Sequence, residues 1–93
     1  MEALFQVLDG HKSDVNWVDF NGQRKLVSCS NDRTVMLWEA EDDERHFRPH
    51  AISPLTGHAY GVNCVRYSPF GTIIASASTD GNIILWNSQV SQN

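Results

Sequence analysis

The 93-residue sequence is poor in basic residues and contains no long apolar segment. Seven Lys and Arg stand against eleven Asp and Glu, which gives a formal net charge of −4. Nucleic-acid-binding surfaces are normally basic, so this balance argues against a nucleic-acid partner. No apolar run approaches the roughly 18 residues of a membrane-spanning helix, so we expect no membrane partner either.

Cysteine is also scarce. Cys29 and Cys64 both fall within predicted strands and lack the spacing of metal ligands. We expect them to be small buried thiols in a reducing compartment. The first residues show no basic-then-apolar pattern of a signal peptide. Together these features predict a cytoplasmic protein, with the nucleus as the alternative compartment.

What the sequence does contain is an internal repeat. Asp32 and Asp80 are 48 residues apart, and each follows a Ser by four residues and precedes a Trp by six. A Gly-His pair heads each copy, at Gly10-His11 and Gly57-His58, 47 residues apart. Self-similarity at a fixed period is the signature of a repeat architecture.

Both copies have the features of β-strands joined by tight turns. Apolar, β-forming residues flank Asp80-Gly81, a strong hairpin signal because Gly adopts positive φ without a Cβ clash. Arg33 stands where the second copy has Gly81, so we expect it in the left-handed region at a cost of about 1–2 kcal/mol. Val18 and Phe20 alternate with a polar residue, as in a half-buried strand. The strands predicted from these patterns are 15–20, 26–29, 35–38, 62–67, 72–76 and 83–86, with a type I turn at 68–71.

The pattern resembles the WD-repeat family, in which each repeat forms one blade of a β-propeller. The resemblance rests on Gly-His, Ser, Asp and Trp at matching offsets in both copies, although Glu39 and Asn87 replace the Asp of the usual Trp-Asp pair. It implies an all-β fold of antiparallel four-stranded blades. A propeller needs about 4–8 blades, so two blades form an incomplete ring. We expect the ring to be completed by the rest of a longer chain or by oligomerisation.

The resemblance also divides the chain. Residues 1–10, with a strand at 3–8, would be the outer strand of a missing closing blade. Residues 11–57 form the first repeat, with an acidic loop at 39–49 and an outer strand at 50–55. Residues 58–93 form a second repeat that lacks its outer strand. The acidic loop is either a solvated connection or a contact for a basic partner. With two open sheet ends, we expect the isolated chain to be unstable or oligomeric.

The resemblance further implies a buried hydrogen-bonded network in each blade, in which the indole reaches the Ser hydroxyl, the hydroxyl reaches the His ring and the ring reaches the Asp. Its members are His11, Ser28, Asp32, Trp38, His58, Ser76, Asp80 and Trp86. Ser, His and Asp also form hydrolase triads, but both Ser lie within strands rather than on a nucleophile elbow, and the set occurs twice. We therefore predict no catalytic residue.

Other chemistry has little support in the sequence. His46 and His50 are four residues apart but lack further ligands at zinc spacing, so we predict two exposed loop histidines and no metal site. The sequence contains no glycine-rich phosphate cradle, and we predict no cofactor.

Function would then reside on a partner-binding face. Carried over from the family by position, that face consists of Asp14, Asn16, Asn31, Gly61, Asn63 and Thr79. Tyr60 lies beside it, and Trp17 either packs between blades or anchors a contact. The predicted function is a non-catalytic scaffold for a protein or peptide partner. The stretch SPFGTIIASASTDGNIILWN also resembles the start of proteins that join WD repeats to SAM and U-box domains. That resemblance implies the alternative, the substrate-recognition part of a ubiquitin ligase.

Overall fold

A computed structural model describes residues 3–89, and all the regular structure within them is β-strand. The predicted all-β class is therefore confirmed. Every strand pairing is antiparallel. The strands are β1 (Val15–Asn21), β2 (Lys25–Ser30), β3 (Thr34–Ala40), β4 (Phe47–Pro49), β5 (Leu55–Thr56), β6 (Val62–Tyr67), β7 (Ile73–Ser78) and β8 (Ile83–Asn87).

The strands form two sheets that correspond to the two repeats. The first sheet has the order β1-β2-β3-β4, with β5 also paired to β3, and we call it blade 1. The second has the order β6-β7-β8 and is blade 2. Both repeats have the same register. Leu26 lies opposite Trp38 and Ile74 opposite Trp86, and in each blade the Ser follows two residues later in the central strand.

The outer strand of blade 1 differs from the prediction. A single strand at 50–55 is wrong, because the edge consists of two short pieces, with Pro49 opposite Trp38 and Leu55 opposite Val35. Between them the chain turns, and the Ser53 amide donates to the His50 carbonyl at 2.9 Å. Proline has no N–H to donate to a ladder, so the edge is the position in a sheet that tolerates Pro49.

Residues 3–8 do not form a strand in this structure, so the outer strand expected here, which needs the sheet of a missing blade, stays a prediction. The nearest sheet edge is β4 of blade 1, and the backbone of residues 3–8 does not pair with it. The Gln6 side chain pairs with the backbone of Phe47 instead, since Nε2 donates to the carbonyl at 2.8 Å and Oε1 accepts the amide at 2.9 Å. Residues 1–2 and 90–93 of the predicted flanking units lie outside the described residues.

The main core lies between the two blades. Its fully buried members come from both sheets and include Val27, Cys29, Val35, Leu37, Val62, Val65 and Ile74. A smaller cluster on the other face of blade 1 is packed against by Leu8 and Phe47. On that face Val18 and Phe20 are more than half exposed, so their predicted burial is wrong. Their face points away from blade 2, because residues of a strand alternate between faces.

The turns follow the sequence closely. Arg33 has φ 76° and is left-handed as predicted, and Gly81 in the matching turn has φ 88°. The Gly71 amide donates to the Ser68 carbonyl at 2.8 Å, which closes the predicted turn at 68–71. The acidic loop is shorter than predicted, because β3 extends to Ala40 and β4 begins at Phe47. The described residues contain no helix with the length and apolarity needed to cross a membrane.

Candidate functional site

In blade 1 four side chains form one continuous chain of polar contacts. The indole Nε1 of Trp38 donates to Ser28 Oγ at 2.9 Å. Nε2 of His11 lies 2.7 Å from the same oxygen, and Nδ1 lies 3.1 Å from Oδ2 of Asp32. Adjacent antiparallel strands supply Ser28 and Trp38, the segment before β1 supplies the ring, and the β2–β3 turn supplies the carboxylate. The contacts therefore tie three separate segments together.

Asp32, the carboxylate of this network, accepts further hydrogen bonds. It also accepts the amides of Lys12 and Thr34 at 2.9 Å and the Thr34 hydroxyl at 2.6 Å. Burial acts to raise the pKa of Asp32, but these hydrogen bonds outweigh it and lower the pKa to about 2. The carboxylate is thus charged at neutral pH. It can accept a hydrogen bond from Nδ1–H of His11, which favours the tautomer in which Nε2 accepts a hydrogen bond from the Ser28 hydroxyl.

Blade 2 repeats the first half of this arrangement. Nε1 of Trp86 donates to Ser76 Oγ at 2.8 Å, and Nε2 of His58 lies 2.7 Å from it. The expected contact between the His58 ring and Asp80 does not occur among the hydrogen bonds of residues 3–89. Asp80 accepts the Ser78 hydroxyl at 2.7 Å instead.

The difference between the two blades has a local cause. The amide Nδ2 of Asn82 donates to Oδ2 of Asp80 at 3.2 Å, whereas in blade 1 the corresponding oxygen of Asp32 contacts His11. Asn82 stands where blade 1 has Thr34. Hydrogen bonds from Ser78 and from the Asn82 backbone lower the pKa of Asp80 within its own turn. The Asp80 carboxylate therefore stabilises its own turn, and the His58 ring contacts the Ser76 hydroxyl without contacting Asp80.

The buried serines are poorly placed for nucleophilic catalysis. Ser28 and Ser76 are buried within central strands, and each hydroxyl oxygen already accepts an indole N–H. A nucleophile has to be reachable by substrate. The geometry suits fastening strands and loops together.

The six residues predicted for a partner face lie at one edge of the two sheets. Backbone bonds close this edge in both blades, from the Asn31 amide to the Asp14 carbonyl at 2.9 Å and from Thr79 to Gly61 at 3.1 Å. β1 and β6 begin here, and β2 and β7 end here. The sequence-based selection thus picks out neighbours in space.

Three of the six residues have a structural role. Nδ2 of Asn16 donates both to Oδ1 of Asn31 and to the Val62 carbonyl, each at 2.8 Å, and so bridges the blades. A Cβ at Gly61 would lie 3.0 Å from Oδ1 of Asn31, so the glycine permits this close approach. Asn16, Asn31 and Gly61 therefore build the joint between blades at this edge.

The remaining polar members of the face are free. Asp14, Asn63 and Thr79 are exposed, and within residues 3–89 their side chains make no hydrogen bond. Trp17 is 45% exposed and Tyr60 is 57% exposed, so both aromatic side chains keep about half of their surface open to solvent. Exposed aromatic rings beside unpaired polar groups are the features expected of a protein-binding surface.

The other singled-out residues lie elsewhere. Cys29 is fully buried, and burial raises the pKa of its thiol to about 12, whereas Cys64 is only half-buried. His46 and His50 are half-buried rather than exposed. The His46 ring stacks on Phe5 with centroids 4.7 Å apart, and no group of three potential metal ligands occurs among residues 3–89.

Sequence reasoning missed the second joint between the blades. Oδ2 of Asp19 accepts the Tyr67 amide at 2.9 Å and lies 3.8 Å from Nε of Arg66. At the opposite edge Gly71 lies directly against Asn21. The one available signal was Asp19, a charged residue within a strand, because the partners of these residues are about 50 positions away in the chain.

Two antiparallel sheets packed face to face, each with the same indole–hydroxyl–imidazole contacts, define a repeat protein built from β-propeller blades. The family model for the WD domain, G-beta repeat, matches residues 2–39 and 49–87. The chain belongs to the WD-repeat family.

Similar proteins include members with other domains. The human "WD repeat, SAM and U-box domain-containing protein 1" is 41% identical over 92 residues, covering 99% of this chain. The zebrafish (Danio rerio) protein of the same name is 38% identical over 87 residues, or 94% of the chain. "Protein transport protein SEC13" of Coccidioides immitis is 40% identical over 76 residues, or 80% of the chain. The chain spans only 17–23% of the length of these relatives.

Proposed function

We propose that this chain is part of a non-catalytic scaffold that binds a protein or peptide partner on the edge formed by Asp14, Asn63 and Thr79, with Tyr60 and Trp17 as aromatic contacts. WD repeats imply protein interaction as the general role. The choice of this surface rests on one observation, that polar side chains without hydrogen bonds and half-exposed aromatic rings lie together on a single edge.

The edge is suited to binding because its backbone is held in place. The hydrogen bonds of Asn16 to both Asn31 and the Val62 carbonyl fix the two blades relative to each other here. A surface that is ordered before binding loses less conformational entropy on association. The net charge of −4 makes a protein or peptide a better partner than a nucleic acid.

A displayed library of random peptides, selected against the chain, tests this surface. Peptides that bind should lose most of their affinity when Tyr60→Ala or Asn63→Arg is introduced. Phe70→Ala is the matched control, because Phe70 is 92% exposed but lies in the β6–β7 turn at the opposite edge. Selected peptides that respond to Phe70→Ala and ignore both variants at the proposed edge would refute the assignment.

A second candidate function is substrate recognition for a U-box ubiquitin ligase. Relatives named for WD repeat, SAM and U-box domains match 94–99% of this chain. The transfer domain would then lie in further sequence beyond Asn93. Sequencing the transcript downstream of the Asn93 codon tests this candidate. A continued reading frame that encodes more WD repeats and a U-box supports it, and a continued frame without a U-box refutes it.

We infer a cytoplasmic location for the same protein. A half-buried and a buried cysteine without a disulfide are consistent with a reducing compartment. Microscopy of a fluorescently tagged chain checks this expectation, with a secreted or membrane-enclosed signal as the contrary result.

A further inference from the structure

The end of β1 and the start of the β1–β2 turn carry the pair Asn21-Gly22. Asparagine is a chemically labile residue, because the backbone nitrogen of the next residue can attack the carbonyl carbon of its side chain. Glycine in the next position makes this attack easier, since it has no side chain to crowd the nitrogen. The other asparagines that have a following residue precede Trp, Asp, Cys, Ile or Ser.

The nitrogen that would attack is free in the structure. The β1–β2 ladder ends at the pair formed by Asn21 and Lys25, and within residues 3–89 the Gly22 amide donates no hydrogen bond. Gly22 has φ 63°, and no atom lies within 4 Å of the position that a Cβ would take. The end of a ladder opens at a low free-energy cost. The Gly22 nitrogen can therefore reach the Asn21 side chain without giving up a hydrogen bond of its own.

The side-chain amide of Asn21 is free as well. It is half-buried and makes no hydrogen bond in the described part of the chain. Most of the other asparagines there have a hydrogen-bonded side chain: Asn16, Asn31, Asn82 and Asn87. Asn63 is free like Asn21, but it precedes Cys64 instead of a glycine. Asn21 alone combines a free side chain with a following glycine.

We propose that Asn21 is a site of spontaneous deamidation. The Gly22 nitrogen forms a bond to Cγ of Asn21, and the side-chain nitrogen leaves as ammonia, which gives a five-membered succinimide. Water then opens the ring at one of its two carbonyl carbons. Opening at Cγ gives aspartate, and opening at the main-chain carbonyl gives isoaspartate. The sequence of steps consumes one water, releases one ammonia and involves no oxidation or reduction.

The modification would fall on a joint between the blades. Gly71 of blade 2 lies directly against the Asn21 side chain. The Gly71 amide already donates to the Ser68 carbonyl, and the Gly71 carbonyl accepts the Ser88 hydroxyl. A carboxylate can only accept hydrogen bonds, so the backbone of Gly71 has no free donor to offer it. Deamidation thus replaces a neutral contact at this joint by an unsatisfied charge.

Asp19 makes the new charge less favourable still. Residues 19 and 21 share one face of β1, because the residues of a strand alternate between faces. Oδ2 of Asp19 accepts the Tyr67 amide at 2.9 Å and lies 3.8 Å from Nε of Arg66. A second carboxylate on this face repels Asp19. Lys25, opposite residue 21, offsets part of this repulsion for the aspartate form.

Isoaspartate should disturb the joint more than aspartate does. Its backbone runs through the former side chain and is one carbon longer, which shifts the last pair of the ladder between residue 21 and Lys25. The joint lies at the edge opposite Asp14, Asn63 and Thr79, so this proposal does not depend on the proposed partner-binding edge.

Peptide mapping by mass spectrometry tests the site. The full chain is incubated in mildly alkaline buffer, with its strand signal followed by circular dichroism. The peptide that contains Asn21 should be the first to gain the mass of an amide-to-acid conversion and should become a substrate for an isoaspartate-specific methyltransferase. The peptide that contains Asn63 is the internal control and should keep its amide over the same period. Retention of the amide at Asn21 would overturn the proposal.

The same incubation in urea shows whether the fold protects Asn21. Conversion at Asn21 should be at most about tenfold faster in the unfolded chain, because the end of the ladder opens easily. Asn16, which is held by two hydrogen bonds in the folded chain, should show a larger ratio than Asn21. An equal or larger ratio at Asn21 would mean that the fold shields it, and this outcome would also count against the proposal.

The effect on the joint is measured on separated products. Ion exchange resolves the amide form from the two acidic forms, and urea denaturation should give the highest midpoint for the amide and the lowest for isoaspartate. Asn21→Ala is the control, because it cannot cyclise and should keep its own midpoint after incubation. An isoaspartate form as stable as the amide form, or an equal loss on incubation of Asn21→Ala, would refute the role of this residue at the joint.

Discussion

Asn21 of blade 1 lies so close to Gly71 of blade 2 that a Cβ at the glycine would overlap the Asn21 side chain. Gly71 also has φ 75°, a conformation that other residues adopt at a cost. Gly71 is thus required for two reasons: its own turn needs a positive φ, and the neighbouring blade leaves no space for a side chain. The two requirements can be separated experimentally, because Gly22 also has a positive φ but has open space around it.

Gly71→Ala should destabilise the chain by about 2–4 kcal/mol, combining the left-handed backbone with overpacking at the joint. Gly22→Ala should cost only about 1–2 kcal/mol, since Gly22 has φ 63° but open space around it. Urea denaturation of both variants at one protein concentration gives the comparison. In the background of Asn21→Ala the excess cost of Gly71→Ala should disappear. Equal costs for Gly71→Ala and Gly22→Ala would contradict the close approach.

Ser28→Ala and Ser76→Ala should each lower the free energy of unfolding by about 1–3 kcal/mol, because the indole N–H of Trp38 or Trp86 loses its acceptor. Ser13→Ala, at an exposed position, is the control and should change stability by no more than about 0.5 kcal/mol. Tryptophan fluorescence during urea denaturation measures all three. A neutral result at both buried serines would mean that the hydroxyls contribute nothing to stability.

The stability of the chain should fall in acid through Asp32. Its folded-state pKa is lowered to about 2, below the value of an unfolded aspartate of about 3.9. A lowered pKa means that the contribution is fully present above about pH 4 and is lost as the pH falls toward 2. That contribution is about 1–2 kcal/mol. Asp32→Asn should be less stable at neutral pH, and its stability should change less than that of the unchanged chain between pH 4 and 2. Parallel pH profiles for the two proteins would disprove this.

Arg33→Gly should stabilise the chain by up to about 1 kcal/mol, because Arg33 has φ 76° and Gly adopts this conformation freely. The greater freedom of Gly in the unfolded chain offsets part of the gain. The reciprocal change Gly81→Arg, at φ 88°, should destabilise it by about 1–2 kcal/mol. Thermal melts of Arg33→Gly and Gly81→Arg show whether each change raises or lowers the stability of the chain. Destabilisation by Arg33→Gly would indicate that the Arg33 side chain has a role of its own.

Local patterns predicted the parts of the fold that depend on nearby residues. The hairpin turn at Gly81 and the left-handed Arg33 follow from backbone sterics over four residues. The contact between Trp38 and Ser28 was implied by the resemblance to WD repeats, which rests on matching offsets in both copies. The split outer edge was beyond such reasoning, because it depends on which stretches near Pro49 and Pro54 find a place along β3.

The candidate site shows the same division. The positions of the partner face were carried over from the WD-repeat family, and that resemblance gave no indication that Asn16 and Asn31 bridge the blades. The network of blade 2 was predicted to match that of blade 1, and Asn82 changed the outcome by taking the oxygen of Asp80 that His58 was expected to meet.

The sequence by itself determined that this protein is made of two copies of one antiparallel β unit, since the repeat offsets and turn residues act within each copy. The tertiary structure alone decided which faces of the two units are covered and which are left open. Burial depends on contacts between residues almost 50 positions apart, so Leu37 and Leu85 have the same place in the repeat and opposite environments.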